Sequence, residues 1–484
     1  TAIANAYEQY RQAGAAARAM LIEAAAKAWG VPKDKITIAK GVVSDGAKSA
    51  SFGELAAAAA KVPVPEKPVL KEPKDFVFIG KSFPRLDQKA KTTAQPVFTQ
   101  DLRLPGMLTA VIARPPRFGA KVASFDAAKT KAVKDVVNVV AIPQGVAAVT
   151  WNEAEAEQRG TAELLAEYRA LAEKPGLTVR KDGDAATALA SAAKVIEAEF
   201  VFPFLAHATM EPMNAVVAFK DGACTIWTGS QLQTIDQAVA AAILGVRPEE
   251  VTINTLWAGG SFGRRGVYNA DYVAEAAEIV KAHGTSDPIK LMWTREDDIK
   301  GGYYRPMYVH KVKVGLDDKG RIAAWQHRIV GQSILDGTAF AATMVKNGID
   351  ESSVEGVHDM PYAIPNFDVE VHNTKFGAPP LWWRSVGHTH TAYVVDTLID
   401  ELAALAGQDP VAFRLAMLEK HPRHAAVLKL AAEKAGWGTP LPAGVARGVA
   451  VHESFKSFVA EVAEVRIVGG AAKVDRVVCA VDCG

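Results

Sequence analysis

Trp257-Ala258-Gly259-Gly260-Ser261-Phe262-Gly263-Arg264-Arg265 joins a strand pattern to a helix pattern, and the architecture around it follows from how that join is read. Before it, Val251-Thr252-Ile253-Asn254-Thr255-Leu256 has the β-branched alternation of a strand. After it, Val273, Ala276, Ala277 and Val280 recur at the spacing of one helix face, which closes at Gly284. The loop is therefore expected at a helix N-terminus, where free amides point outward. Glycines let the backbone approach a ligand closely, and Arg264 and Arg265 would add positive charge, so a phosphate or another oxyanion is the expected guest. A dinucleotide fingerprint fits poorly, because Ala258 holds the first glycine place and no acidic residue ends a following strand about 20 residues on. A Walker-type loop at Gly80-Lys81-Ser82 fails because Asp75 stands where the far glycine belongs.

The chain has 484 residues, enough for two to four domains, and a formal net charge of +1, which gives no reason to expect nucleic acid or an acidic membrane surface as a partner. No apolar run is long enough to span a membrane, and Thr1-Ala2-Ile3-Ala4-Asn5 is no signal peptide. The chain lacks an initiator Met and stops just after the strand-like Val477-Val478, so both ends are expected to belong to a longer polypeptide. Cys224, Cys479 and Cys483 are too few for a disulfide framework and lack the paired spacing of a zinc site. In His388-Thr389-His390 the alternation would set both rings on one strand face, in a structural role.

Mixed strands and helices give an α+β class. Residues 4–29 read as one alanine-rich helix, followed by short strands at Ile36-Thr37-Ile38 and Gly41-Val42-Val43 and by a capping box, Ser51-Phe52-Gly53-Glu54. This first segment covers 1–62. Pro63, Pro65, Pro68 and Pro73 stiffen a linker over 63–83. A unit over 84–198 carries strands at Met107–Ile112 and Val146–Val149 and a charged helix around 153–173. The largest unit, 199–445, has strands near 215–219, 224–228, 251–256, 289–293, 308–315, 322–330 and 367–372, a helix at 391–406, and an N-cap and N1 pair at Asp409-Pro410. A last segment, 446–484, has two strands and no closure.

Gly229-Ser230-Gln231 and Pro380-Leu381-Trp382-Trp383-Arg384-Ser385-Val386-Gly387 also fall at strand or loop ends, and with the glycine loop they could build a cofactor pocket. Taken singly, Gln231 reads as a satisfied loop amide, Arg384 as a surface cation and the tryptophans as core. In order, however, these pieces resemble the large molybdenum-binding subunit of the xanthine dehydrogenase and aldehyde oxidase family. The resemblance is nearest to the isoquinoline 1-oxidoreductase β-subunit and aldehyde dehydrogenase branch. It extends through Gly80-Lys81, Pro84-Arg85-Leu86-Asp87, Leu104-Pro105-Gly106-Met107-Leu108, His207-Ala208-Thr209-Met210-Glu211-Pro212, Trp293-Thr294-Arg295-Glu296-Asp297-Asp298, Ile329-Val330-Gly331-Gln332-Ser333 and Ala450-Val451-His452-Glu453-Ser454.

The resemblance implies a hammerhead-like α+β domain at 84–198, a molybdopterin-binding domain at 199–445, the start of a second at 446–484, and part of one at 1–62. It implies oxidation of an aldehyde or N-heteroaromatic carbon with water as the oxygen source. Gln231 would bond an oxygen ligand of molybdenum. The backbone at Gly259, Gly260, Ser261, Phe262, Gly263 and Arg264 would hold the pterin, in its cytosine dinucleotide form. Arg384 would orient substrate, and Arg414 would lie near the metal centre, with no direct protein ligand to molybdenum. No iron–sulfur or flavin motif is present, so electrons would leave through a small subunit with 2Fe–2S clusters and on to an acceptor such as cytochrome c. Export to the periplasm is implied by the branch, with the cytoplasm as the alternative.

Two departures stand out. The family's general base, a glutamate in a Gly-Val-Gly-Glu-like motif, does not occur in these residues, so other chains completing the last domain would have to supply it. The purine-oxidising members have a glutamate where this chain has Gly266, which argues against purines. Two other readings follow from the same residues: an incomplete scaffold that needs sister chains, and a nicotinamide-dependent dehydrogenase resting on the near-miss fingerprint.

Overall fold

Tyr308–Leu316 and Ile322–Gln332 mix apolar with polar residues, and most residues of both strands are buried. The computed structural model describes residues 2–143 and 149–484. By its internal contacts the chain forms two units. One runs to Lys89 and adds Phe455–Val459 and Ala480–Gly484; the other takes Ala90–Ser454 and Ala460–Cys479.

In the first unit the helix Ala2–Trp29 packs Leu21, Ala24 and Ala25 with Ile36, Val43 and Leu55. Its three short strands, Thr37–Ala39, Val42–Ser44 and Ser49–Ser51, pair in chain order. The expected capping box starts the helix Phe52–Ala59: Ser51 Oγ accepts from the Glu54 amide at 3.2 Å, and Glu54 accepts from the Ser51 amide at 2.7 Å.

The second unit holds two five-stranded sheets. One has the order Val251–Thr255, Ala223–Thr228, Asn214–Lys220, Ile289–Met292, Leu108–Ala110. Its outer pairs are parallel and its inner pairs antiparallel. The helices Gln233–Leu244 and Asp271–His283 bury Ala240, Val273, Ala276, Ala277 and Val280 against it, with Ala215, Ile226 and Leu291 from the sheet. Gly245 and Gly284 end these helices with φ of 74° and 72°, the left-handed values that glycine adopts without a Cβ penalty. The other sheet has the order Leu177–Asp182, Asn366–Thr374, Ile322–Gln332, Tyr308–Leu316, Lys194–Phe202. Leu164 and Tyr168 of the helix Thr161–Ala172 pack against its Val309 and Val330. Val445–Ser454 and the parts of the next two strands that lie in this unit, 460–468 and 471–479, form a three-stranded sheet in chain order.

Several sequence expectations are corrected at their edges. The charged helix is shorter, Thr161–Ala172, and the strand at Met107–Ile112 contracts to Leu108–Ala110, the stretch that pairs with Ile289–Leu291. Val146–Ala148 lie outside the described residues, while Val149–Asn152 pairs with Lys121–Phe125. His388-Thr389-His390 is the first turn of the helix His388–Ala406 and not a strand; Glu355 accepts from the Gly387 amide at 2.7 Å, which satisfies a free donor there.

One cross-strand pair gives a direct check. Gly331 stands opposite Tyr308, and a Cβ on Gly331 would lie 2.2 Å from the tyrosine ring and 3.0 Å from the Met307 carbonyl. Gly331→Ala is expected to destabilise the protein by about 1–3 kcal/mol through overpacking. The urea midpoint should fall; an unchanged midpoint would show that the pair can relax.

Candidate functional site

The glycine loop leaves the edge strand Val251–Thr255, but the helix that follows starts only at Asp271. The loop is therefore not itself a helix N-terminus, because Gly266–Ala270 intervenes and the αL residue Ala270, at φ 50°, precedes the helix. Its donors come instead from its own shape. Gly260, Phe262 and Gly263 have φ of 101°, 58° and 104°. Among the described residues nothing accepts from the amides of Gly260, Ser261, Phe262 or Gly263. Successive free amides in a turn that mixes left- and right-handed backbone can form an anion-binding concavity without any side-chain charge.

The two arginines do not face that concavity, which corrects the charge assigned to them from sequence. Both are about 1% exposed. Arg264 makes a bidentate pair with Asp271, at 2.6 and 3.1 Å, and its guanidinium lies 5.1 Å from the centre of the Trp293 ring. Arg265 donates to the Gly260 carbonyl at 2.9 Å, the Glu211 carbonyl at 3.0 Å and the Glu211 carboxylate at 3.1 Å. A buried guanidinium needs a carboxylate partner, and these two have theirs inside the protein.

Glu211 is the residue that sequence reasoning quoted without assigning a role. Its carboxylate also accepts from the Gly259 amide at 2.8 Å, the Gln100 amide at 3.1 Å and Asn214 Nδ2 at 3.0 Å. A signal was present: adjacent arginines in a glycine loop with an apolar helix behind it require buried acids, and Glu211 lies within one of the quoted motifs.

Gln231 and the segment at Trp382 converge on the loop as expected. Ser261 Oγ accepts from the Arg265 amide at 3.2 Å and so donates its hydrogen to Gln231 Oε1. That leaves the Gln231 Nε2 hydrogens as the outward donors. The Gln231 amide itself donates to the Arg265 carbonyl at 3.1 Å. On the other side, a Cβ on Gly263 would lie 2.5 Å from the Trp382 carbonyl, so only glycine allows this approach. His207 Nε2 donates to the same carbonyl at 3.0 Å, and burial lowers the His207 pKa to about 4, which keeps the ring neutral. Arg384, two residues on, is exposed and has no partner among the described residues.

Arg414 does not join this group. Its Nε and Nη2 donate to Asp396, and its Nη1 to Asp400 at 2.5 Å and to the Pro410 carbonyl at 3.3 Å. All five guanidinium hydrogens are thereby engaged between the helices His388–Ala406 and Pro410–Met417, so Arg414 has no hydrogen left to donate to a ligand.

Asp236 is buried and bonded to Ser230, the neighbour of Gln231. It accepts from Ser230 Oγ, and burial raises its pKa to about 7, with Asp271 adding to the effect.

Residues 171–418 match the family model described as the molybdopterin cofactor-binding domain. The chain is 28% identical over 99% of its length to isoquinoline 1-oxidoreductase subunit beta of Brevundimonas diminuta. It is 30% identical over 92% of its length to the membrane-bound aldehyde dehydrogenase (pyrroloquinoline-quinone) of Gluconacetobacter polyoxogenes. It spans 69% and 64% of those two proteins. The crystal structure of quinoline 2-oxidoreductase from Pseudomonas putida 86 superposes with a TM-score of 0.59 at 18% identity, over 77% of this chain and 57% of that one, a likeness of fold.

Two outcomes follow from the geometry. Glu211→Ala would leave the Arg265 charge buried and unpaired, and should lower stability by about 3–5 kcal/mol, far more than an exposed glutamate such as Glu66. Calorimetry of both variants separates them. Because the folded pKa of Asp236 is raised from 3.8 to about 7, the native state holds an extra proton between those values, and stability should fall as pH rises through that window. Asp236→Asn should flatten the fall; an unchanged slope in a pH series of urea midpoints would refute the assignment.

Proposed function

This chain belongs to the molybdopterin cofactor-binding domain family, and we propose that it is the pterin-holding large subunit of an oxidoreductase acting on an aldehyde or on an electron-poor carbon of an N-heterocycle. The observation that carries the reading is the row of four free amides, Gly260 to Gly263, beside the free Nε2 hydrogens of Gln231. A donor-only wall of this kind suits a group that presents oxygen and sulfur acceptors and accumulates negative charge. The molybdenum–pterin group, when bound, supplies the redox chemistry, with water as the source of oxygen.

The chain's own residues do the holding and positioning. Gln231 Nε2 and the Phe262 and Gly263 amides would hold the group through its acceptor atoms. Ser261 keeps the carboxamide turned so that its nitrogen faces outward. Arg384, exposed and unpaired, is the cation available to orient the acceptor atom of a substrate, and the Phe262 ring, 41% exposed, offers an apolar face. Gly266 brings no carboxylate beside Gln231, which supports aldehydes and N-heterocycles over purines. The name "subunit beta" borne by one relative supports a multi-subunit assembly, and a small subunit with 2Fe–2S clusters as the electron acceptor is part of the same proposal. The cytosine dinucleotide form of the pterin and a periplasmic site of action belong to the same proposal.

Metal analysis of the full-length complex tests this reading: molybdenum should be present in stoichiometric amount, and its absence from an otherwise intact complex would reject it. Gln231→Leu removes one donor at the reacting end, so kcat should drop by roughly 100-fold with molybdenum content retained.

A further inference from the structure

The strands Tyr308–Leu316 and Ile322–Gln332 carry His310 and His327, and the helix His388–Ala406 carries His390; none of the three rings is exposed to solvent. They are bonded in a line. Trp325 Nε1 approaches His327 Nδ1 at 3.4 Å, His327 Nε2 lies 2.8 Å from His310 Nδ1, and His310 Nε2 lies 2.9 Å from His390 Nδ1. Burial lowers the pKa of all three, so each ring is neutral and carries one hydrogen. An indole nitrogen can only donate, and this fixes the tautomers along the line. His327 accepts at Nδ1 and donates from Nε2, His310 does the same, and His390 must therefore carry its hydrogen on Nε2.

That last N–H has no acceptor among the described residues. His390 lines a cavity of about 10 Å³, the room of about one water molecule, together with Arg305, Trp382, Trp383 and Val386. Arg305 is 5% exposed, and its Nε is also without a partner. Its Nη2 donates to the Pro203 carbonyl at 2.6 Å, and no carboxylate among the described residues pairs with it. Arg264, Arg265 and Arg414, equally buried, each have one. The hydroxyl hydrogens of Tyr308 and Ser352, which also line the cavity, are already engaged by Gln332 and Asp350.

We infer that Arg305 and His390 bind a small monovalent anion of the halide class in this cavity. Two unpartnered donors on residues that line one cavity, one of them a full positive charge with no carboxylate among the described residues, suit an anion; a water molecule would leave the charge uncompensated. The cavity wall also includes Val386, whose φ of 49° is unfavourable for a β-branched residue and persists only where the surroundings impose it. The anion therefore braces the Trp382–Val386 segment that abuts Gly263, and it does so whether or not a pterin is bound.

The test uses the full-length complex. Crystals grown in bromide should show one anomalous peak within hydrogen-bonding reach of both Arg305 Nε and His390 Nε2, and no peak there in Arg305→Met. A cavity without anomalous signal, dry or holding water, overturns the inference. At constant ionic strength, replacing gluconate with chloride or bromide should raise the melting temperature of the wild type by a few degrees, since only the native state binds. His390→Phe and Arg305→Met should lose that response; an equal response in the variants would also overturn it.

Discussion

The closure of Glu211 on Arg265 is the interaction on which the candidate site depends. One carboxylate accepts from the amide of Gly259 and from a guanidinium that in turn donates to the carbonyl of Gly260. The loop is thus held from both sides of its first turn by a pair that sees no solvent. With that turn fixed, Ser261 can relay from the Arg265 amide to Gln231, and Gly263 can approach Trp382. Removing the pair would release the backbone whose free amides make the wall. The arginines of the Gly-Arg-Arg sequence act as moulds for the loop, and the positive potential it presents comes from peptide dipoles.

This division explains which parts were legible in the sequence. Most strand positions in the second unit and the helix closing at Gly284 followed from periodicity, and the caps at Ser51, Asp409 and Gly284 followed from local chemistry that needs no distant partner. The convergence of Gln231, the glycine loop and the Trp382 segment was also readable, because ordered motifs carried it. What could not be read was partnership across long separations. Leu108–Ala110 joins a sheet through Ile289–Leu291, and Arg265 meets an acid 54 positions earlier. Charge in a sequence has a sign but no address, so Arg264, Arg265 and Arg414 looked available for ligands although each is neutralised internally. His388-Thr389-His390 misled for a related reason: a three-residue alternation cannot be told from the first turn of a helix.

The buried cations also order the site by function. Those with carboxylates, Arg264, Arg265 and Arg414, hold the loop and the helices in the interior. Arg384 is the cation left at the surface of the segment that meets the loop, and the protein can turn it toward a ligand without stranding a charge. The fold therefore separates structural from available positive charge by whether a carboxylate is paired with it, and Arg305 is buried without one among the described residues.

The imidazole line has a direction. Because the indole of Trp325 can give a hydrogen and cannot receive one, the polarity of each of the three rings is set by a residue two strand positions from the first of them. Reversing it would require all three rings to exchange tautomers together, since a single reversed ring would place two hydrogens or two lone pairs face to face. The core thus stores one bit of orientation and reads it out as a donor at His390. A change that merely deleted the indole N–H would alter no shape, yet it would free that bit, and the polarity of a cavity wall three residues further along would no longer be specified.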